Sequence, residues 1–141
     1  MASYSGIKDG IQTRLETLSG LLVVFDTVPD TITPPAAVIV PQSPQAEYNV
    51  TMGSSTNASQ LQRFNFEILL LAQRFNAATA QDALDAYVSG SGSVYDAIAG
   101  DATLGGNAAD ARITRLADYG QLLVGSGEFY GARFDLEVYA T

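Results

Sequence analysis

The sequence contains neither cysteine nor histidine. These absences exclude disulfide frameworks, thiol nucleophiles and imidazole bases, and they remove the usual zinc and haem ligands. Charged residues are scarce too: they make up 16% of the 141 residues, where about 25% is typical. Because 47% of the residues are hydrophobic, the chain can fold around one core. Either subunit contacts or uncharged polar side chains must then cover much of the surface.

Basic residues are the scarcer charge, since seven Lys and Arg stand against fifteen Asp and Glu, for a net charge of −8. Nucleic acids bind mainly where Lys and Arg neutralise phosphates, so this composition excludes a surface that collects DNA or RNA. No hydrophobic run is longer than five residues, whereas a helix needs ~20 to cross a bilayer. The first ten residues do not resemble a secretory signal. We therefore expect neither export nor a membrane span.

The N-terminal part predicts a helix and then a strand. Apolar residues recur every three or four positions, which predicts an amphipathic helix over residues 5–19. These residues are Ile7, Ile11, Leu15, Leu18 and Leu22. Residues 21–25 are all large and apolar, which predicts a short buried strand.

Two further strands are predicted, each next to a loop. Residues 36–40 form the first strand, and we expect Pro41 and Pro44 to end it because proline cannot donate to a sheet. Residues 46–52 alternate and predict a strand with one wet face.

The segment 26–35 contains three prolines and predicts a loop. The segment 53–60 has no large apolar side chain and predicts a mobile hairpin tip. That tip is either idle or becomes ordered on a partner, in which case Asn57 and Ser59 are candidate contacts.

Two long alternating segments predict the main strands of a sheet. Residues 61–75 place Phe64, Phe66, Ile68, Leu70 and Ala72 on one face. The other face also becomes apolar in the second half, which predicts a central strand covered on both sides. Residues 129–140 alternate most clearly, and we expect a sheet edge here that pairs or packs between neighbouring subunits. One face of this segment has Ala132, Phe134, Leu136, Val138 and Ala140, and the other, wet face has Arg133, Asp135, Glu137 and Tyr139.

Two short helices are predicted between those strands, one over 80–89 and one that begins after a capping Ser93. Their apolar residues are Leu84, Tyr87, Val88, Val94, Tyr95 and Ile98. The turn 101–106 follows, where Leu104 is the only side chain able to fill an apolar socket. Its two glycines permit positive φ.

Residues 110–119 predict a strand, and 125–127 a turn. In that strand Ala111, Ile113 and Arg115 are expected to face away from Arg112, Thr114 and Leu116. The whole pattern predicts one α+β domain over residues 1–141, a mainly antiparallel sheet with an N-terminal helix and a helical insert packed on it.

Four carboxylates lie within twenty residues, namely Asp82, Asp85, Asp96 and Asp101. They do not have the spacing of a calcium loop, and their positions match helix caps and solvent-facing sites. We therefore expect no metal and no cofactor. A small-ligand or acid-base enzyme is the alternative, and it would need a polar pocket that contains Asp82, Asp96 or Tyr95.

Taken together, the sequence resembles the tail terminator proteins of long-tailed bacteriophages over nearly its whole length. The likeness comprises the opening helix, the apolar strand ending in Gln73, Arg74 and Phe75, the helix 80–89 and the final strand 130–139. Its sharpest element is the apolar helix followed by Asp-Ala-Thr-Leu-Gly-Gly at 101–106. The long polar stretch 53–60 and the proline-rich loop 26–35 depart from the family.

This resemblance implies a structural virion protein without catalytic residues. Such proteins form a ring, commonly of six subunits, on the finished tail tube, where they stop addition of tube protein and meet the head-tail connector. DNA passes through the ring, and an acidic lumen would keep it from sticking. A stopper or adaptor on the head side of the virion neck is the alternative within this class. We expect arginines to meet acids of the next subunit, the candidates being Arg63, Arg74, Arg112, Arg115 and Arg133.

Overall fold

The computed structural model describes residues 4–18, 23–25, 36–47, 62–73, 85, 87–88, 93–124 and 127–140. It has a mixed α+β fold in which strands predominate. In chain order the elements are α1 (Tyr4–Leu15), β1 (Val23–Phe25), β2 (Ala36–Glu47), β3 (Gln62–Gln73), α2 (Val94–Ala99), β4 (Asp110–Val124) and β5 (Gly127–Ala140).

The strands form one sheet in the order β1-β2-β3-β5-β4. Only β1 and β2 run parallel, and the other three pairings are antiparallel. The predictions of a mainly antiparallel sheet and of β3 as its central strand are confirmed. The prediction that 129–140 is a sheet edge is wrong, because β5 lies between β3 and β4. Within the described residues, β4 is the strand at that end of the sheet.

Helix α1 packs its apolar stripe onto one face of the sheet, which we call the inner face. Ile7, Ile11 and Leu15 are completely buried, as their helical spacing predicts. The helix ends at Leu15 rather than at residue 19. A tighter turn follows, in which the Leu18 N–H donates to the Leu15 carbonyl (3.0 Å) and the Leu18 side chain is still buried.

The inner face of the sheet holds the larger core. Its buried residues are the predicted set of β3, with Phe64, Phe66, Ile68, Leu70 and Ala72, and the predicted set of β5, with Ala132, Phe134, Leu136, Val138 and Ala140. A second, smaller apolar cluster of Ala36, Val38, Leu71 and Phe129 lies on the outer face. The second half of β3 is therefore apolar on both faces, as predicted.

Strand β2 corrects the prediction that Pro41 and Pro44 end a strand. The strand continues through both prolines to Glu47, and its pairing with β3 shifts register between Pro41 and Ala46. On its other side, among the described residues, β2 pairs with β1 over 36–38. Proline is tolerated where a strand is irregular or lacks a neighbour, which explains the error. Residues 48–52 of the predicted strand 46–52 lie outside the described residues. The two predicted loops, 26–35 and 53–60, lie outside them too.

The helical insert is described in part. Asp85, Tyr87 and Val88 are helical, and Tyr87 is buried, which raises the pKa of its hydroxyl by desolvation. Leu84 and the remainder of the predicted helix 80–89 lie outside the described residues. The predicted cap of α2 is confirmed, because Ser93 Oγ accepts a hydrogen bond from the Asp96 N–H at 3.2 Å. α2 buries Val94 and Ile98 but leaves Tyr95 exposed.

The turn after α2 docks onto α1 through Leu104, which is completely buried, as predicted. Leu104 itself adopts a φ of 53°, a strained value for a branched residue, and Gly105 and Gly106 follow at 70° and 93°. The backbone of Gly10 in α1 comes so close that an added Cβ would lie 2.6 Å from the Leu104 carbonyl oxygen. Only a glycine at position 10 leaves room for this contact.

Strand β4 is longer and less regular than predicted. It runs to Val124 instead of ending at residue 119, and its pairing with β5 shifts register between Ile113 and Arg115 and again between Leu116 and Asp118. The first shift places Arg115 opposite Asp135, on the same outer face as Arg112. The prediction that Arg115 shares a face with Ala111 is therefore wrong. No helix among the described residues is long and apolar enough to cross a membrane.

Candidate interaction surface

The outer face of the sheet carries a network of ion pairs, which we call the charged face. The position of these charged residues follows from strand alternation, because every second residue of β3 and β5 points away from the core. Five ion pairs join four arginines to five acids in the described part of the chain. The arginines are Arg63, Arg112, Arg115 and Arg133, and the acids are Glu47, Glu67, Asp118, Asp135 and Glu137.

Two of the arginines lie in the interior strands and are held by their terminal nitrogens. Arg63 on β3 pairs with Glu47 of β2, directly opposite in register. Arg133 on β5 pairs with Asp118 of β4 and lies 3.9 Å from Glu67 of β3. The Nε atoms of both arginines are buried without a hydrogen-bond partner. Hydrogen bonds with Tyr139 and with Glu47 raise the pKa of Arg63.

The other two arginines lie on β4 and are held differently. Arg115 contacts the Asp135 carboxylate through Nε, and Arg112 Nε lies 4.0 Å from Glu137. The Arg112 guanidinium also lies 5.4 Å from the centre of the Tyr139 ring, within cation–π range. Their side chains are 58% (Arg112) and 69% (Arg115) exposed, against 32% (Arg63) and 37% (Arg133) for the interior pair. The two β4 arginines thus remain largely open to solvent.

Asp135 is the most buried acid of the charged face. Besides Arg115, its carboxylate accepts a hydrogen bond from Gln42 Nε2 at 3.0 Å, and Thr114 Oγ1 donates to its backbone carbonyl at 3.3 Å. A buried carboxylate needs such partners, because an unpaired charge would be costly to desolvate. Through Thr114 and Arg115, Asp135 joins β5 to the first register shift of β4. Through Gln42 it also joins β5 to β2. Sequence alternation placed Asp135 on the wet face but gave no sign of this role.

A shallow groove of about 400 Å³ runs across the charged face. Ser43, Glu47, Arg63 and Asn65 line it from β2 and β3, and Arg115 and Asp135 line it from β4 and β5. Its walls are mainly polar and it is open to solvent. The charges that line the groove are already paired within the chain.

The structure brings four of the predicted contact residues together. Arg63, Arg112, Arg115 and Arg133 all lie on the charged face, and each already has an acidic partner in its own chain. Contact between these arginines and the next subunit stays a prediction. Arg74, Asn57 and Ser59 lie outside the described residues.

The acidic cluster has structural roles where it is described. Asp101 organises the turn: its carboxylate accepts hydrogen bonds from the Thr103 hydroxyl (2.6 Å) and from the N–H groups of Thr103 (3.2 Å) and Gly105 (3.1 Å). These bonds, led by that from the Thr103 hydroxyl, lower the pKa of Asp101. Asp85 accepts a hydrogen bond from the Tyr119 hydroxyl at 2.7 Å. No group of three potential metal ligands occurs within the described ranges, and Asp82 lies outside them.

The enzyme alternative requires a polar pocket that contains Asp82, Asp96 or Tyr95, and of these Asp82 lies outside the described residues. Tyr95 lines a cleft of about 210 Å³ between α2 and the start of β4, together with Asp110 and Arg112. Asp96 is exposed at the first turn of α2 and does not line this cleft.

No protein-family model matches the chain, and no curated protein matches it.

Proposed function

We propose that this chain is a structural protein of a bacteriophage tail. It assembles into a ring on the end of the tail tube, ends tube polymerisation and joins the tube to the head connector. The resemblance of the sequence to tail terminator proteins supports this proposal, above all through the segment 101–106. The α+β architecture, with a helix on one face of a mainly antiparallel sheet, is compatible with it.

The charged face is the observation on which the proposal depends. It spans four strands, carries alternating positive and negative groups, and is not a deep pocket. Alternating charges on a broad surface favour a specific partner and register, because a misplaced partner meets like charges. A protein with such a surface is suited to acting through association.

The distribution of charge supports passage of DNA through the ring. The charged face has four arginines for five acids and is nearly neutral, although the whole chain carries −8. Most of the negative excess therefore belongs to residues outside this face. If a surface formed by these residues lines the lumen, it repels phosphates and lets DNA move without binding.

Polymerisation of tube protein in the presence of this chain tests the proposal. Purified tube protein from the same genome is assembled with and without the chain, and tube lengths are measured by electron microscopy. We expect tubes that stop growing when the chain is added and do not resume with fresh tube protein. Unchanged growth together with binding to the head connector would favour the stopper or adaptor instead. Unchanged growth without such binding would contradict a role in the neck.

A further inference from the structure

The outer edge of β4 has two unusual properties. It lies at the end of the described sheet, yet its two register shifts fall within six residues, 113–118. Such irregularities bend and twist a strand, so a partner strand cannot pair continuously along it. A partner at this edge must therefore bind mainly through side chains.

Four charged side chains of β4 lie on the outer face at this edge, Asp110, Arg112, Arg115 and Asp118, and the two central ones are cationic. Arg112 and Arg115 are the two most exposed arginines of the charged face. Nε of each faces an acid of β5, and Arg112 also has a hydrogen bond with Tyr139. Their β5 partners, Glu137 and Asp135, are two residues apart, so the two arginines lie about 7 Å apart along the strand. Paired guanidinium groups of this kind bind carboxylates well.

Helix α1 offers the complementary charge. Its exposed positions include Asp9, Thr13 and Glu16, which follow one another at spacings of four and three and so form one stripe. Asp9 and Glu16 are about 10 Å apart along this stripe. Neither acid has an ion-pair partner in the described part of the chain, unlike the acids of the charged face. We call Asp9, Thr13 and Glu16 the acidic stripe.

We propose that the acidic stripe of a second copy of this chain docks on Arg112 and Arg115. The stripe belongs to the helix on the inner face, whereas the arginines point from the outer face, so one copy presents the two halves of the contact on different surfaces. A contact between different surfaces is heterologous and repeats from copy to copy until the rotation closes a ring. The inference rests on the proposed function and identifies the subunit contact of the ring.

Charge reversal on the helix tests this contact without touching an ion pair of the fold. We expect the double variant D9K/E16K to raise the dissociation constant for self-association at least about tenfold, because it sets cations against cations. Asp96→Lys is the matched control for the single variants Asp9→Lys and Glu16→Lys, since it makes the same change at an exposed acid outside the stripe. Sedimentation velocity at low ionic strength measures assembly, and circular dichroism checks folding.

Mixing variants makes the test specific. R112E/R115E alone should also fail to assemble, and mixing it with D9K/E16K should restore assembly, because the reversed charges again match. If loss of the Asp135 contact unfolds that variant, Arg112→Glu alone replaces it. Failure of the mixture to assemble, or wild-type assembly by D9K/E16K, would overturn the proposal. A wild-type chain that stays monomeric at millimolar concentration would overturn it too. Tube termination by wild type is measured separately, so a wrong contact is distinguishable from a wrong function.

Discussion

Leu104→Ala should strongly destabilise the folded chain. The Leu104 side chain is completely buried in the larger core, next to α1, and its truncation leaves a cavity. Leucine-to-alanine changes at buried sites cost about 3 to 5 kcal/mol. We expect a value near 3 kcal/mol, since the docked turn is short and lies at the protein surface. In a domain of this size, that loss lowers Tm by about 10 °C.

A second variant at the same position separates packing from backbone strain. Glycine normally destabilises relative to alanine, but Leu104 has a φ of 53°, which glycine adopts without cost. Leu104→Gly should therefore be as stable as Leu104→Ala, or more stable by about 1 kcal/mol. Urea denaturation followed by circular dichroism measures both. The docked turn would be refuted if Leu104→Ala lowered the free energy of unfolding by less than ~1 kcal/mol, or if Leu104→Gly were clearly less stable than Leu104→Ala.

Three further changes test other contacts. Gly10→Ala should destabilise the fold by about 1 to 3 kcal/mol in urea denaturation, because the new Cβ would lie 2.6 Å from the Leu104 carbonyl oxygen. This loss should exceed the gain from the better helix propensity of alanine, and a stabilised variant would contradict the contact. Because the pKa of Asp101 is lowered in the folded chain, its carboxylate stabilises the fold above its unfolded pKa near 4, and this contribution is lost as the pH falls through the folded pKa. Thermal melts of Asp101→Asn from neutral pH to about pH 3 should therefore decline less steeply than those of wild type, and parallel curves would exclude this role. Asp135→Ala removes the acceptor of Arg115 and Gln42 and should cost about 1 to 3 kcal/mol in urea. Asp96→Ala, at the exposed first turn of α2, should cost less than about 1 kcal/mol.

Much of the fold follows from periodicity in the sequence. The spacing of Ile7, Ile11 and Leu15 is that of a helix, and the alternation in β3 and β5 is that of strands, so these elements and their buried faces were predicted correctly. Leu104 was also predicted, because it is the only large apolar side chain in a turn of small and polar residues.

The errors occur where long-range pairing overrides local pattern. Pro41 was predicted to end a strand, but β2 is irregular between Pro41 and Ala46 and, within the described residues, pairs with β1 over 36–38, so the proline is tolerated. Arg115 was assigned to the wrong face because a register shift cannot be read from alternation alone. The position of β5 inside the sheet depends on its pairing with β3 as well as with β4. The pairing with β4 follows from the predicted turn at 125–127, but the pairing with β3, across the helical insert, has no local signal in the sequence.

The candidate surface was predicted in its residue types but not in its arrangement. The arginines were singled out because they are few in an acidic chain. Their convergence on one face and their division into interior and edge pairs depend on strand order and on the shifts in β4. The burial of Asp135 depends on Gln42 of a distant strand, 93 residues away, and was missed for the same reason.

Cryo-electron microscopy of tube ends tests the central claim most directly, namely that this chain acts by assembling on a tube. Tubes are grown with the chain present, and the two ends are averaged separately. The account predicts a ring of several copies on one end of each tube, with the D9K/E16K variant absent from it. Bare ends at a saturating concentration of wild-type chain would contradict the account.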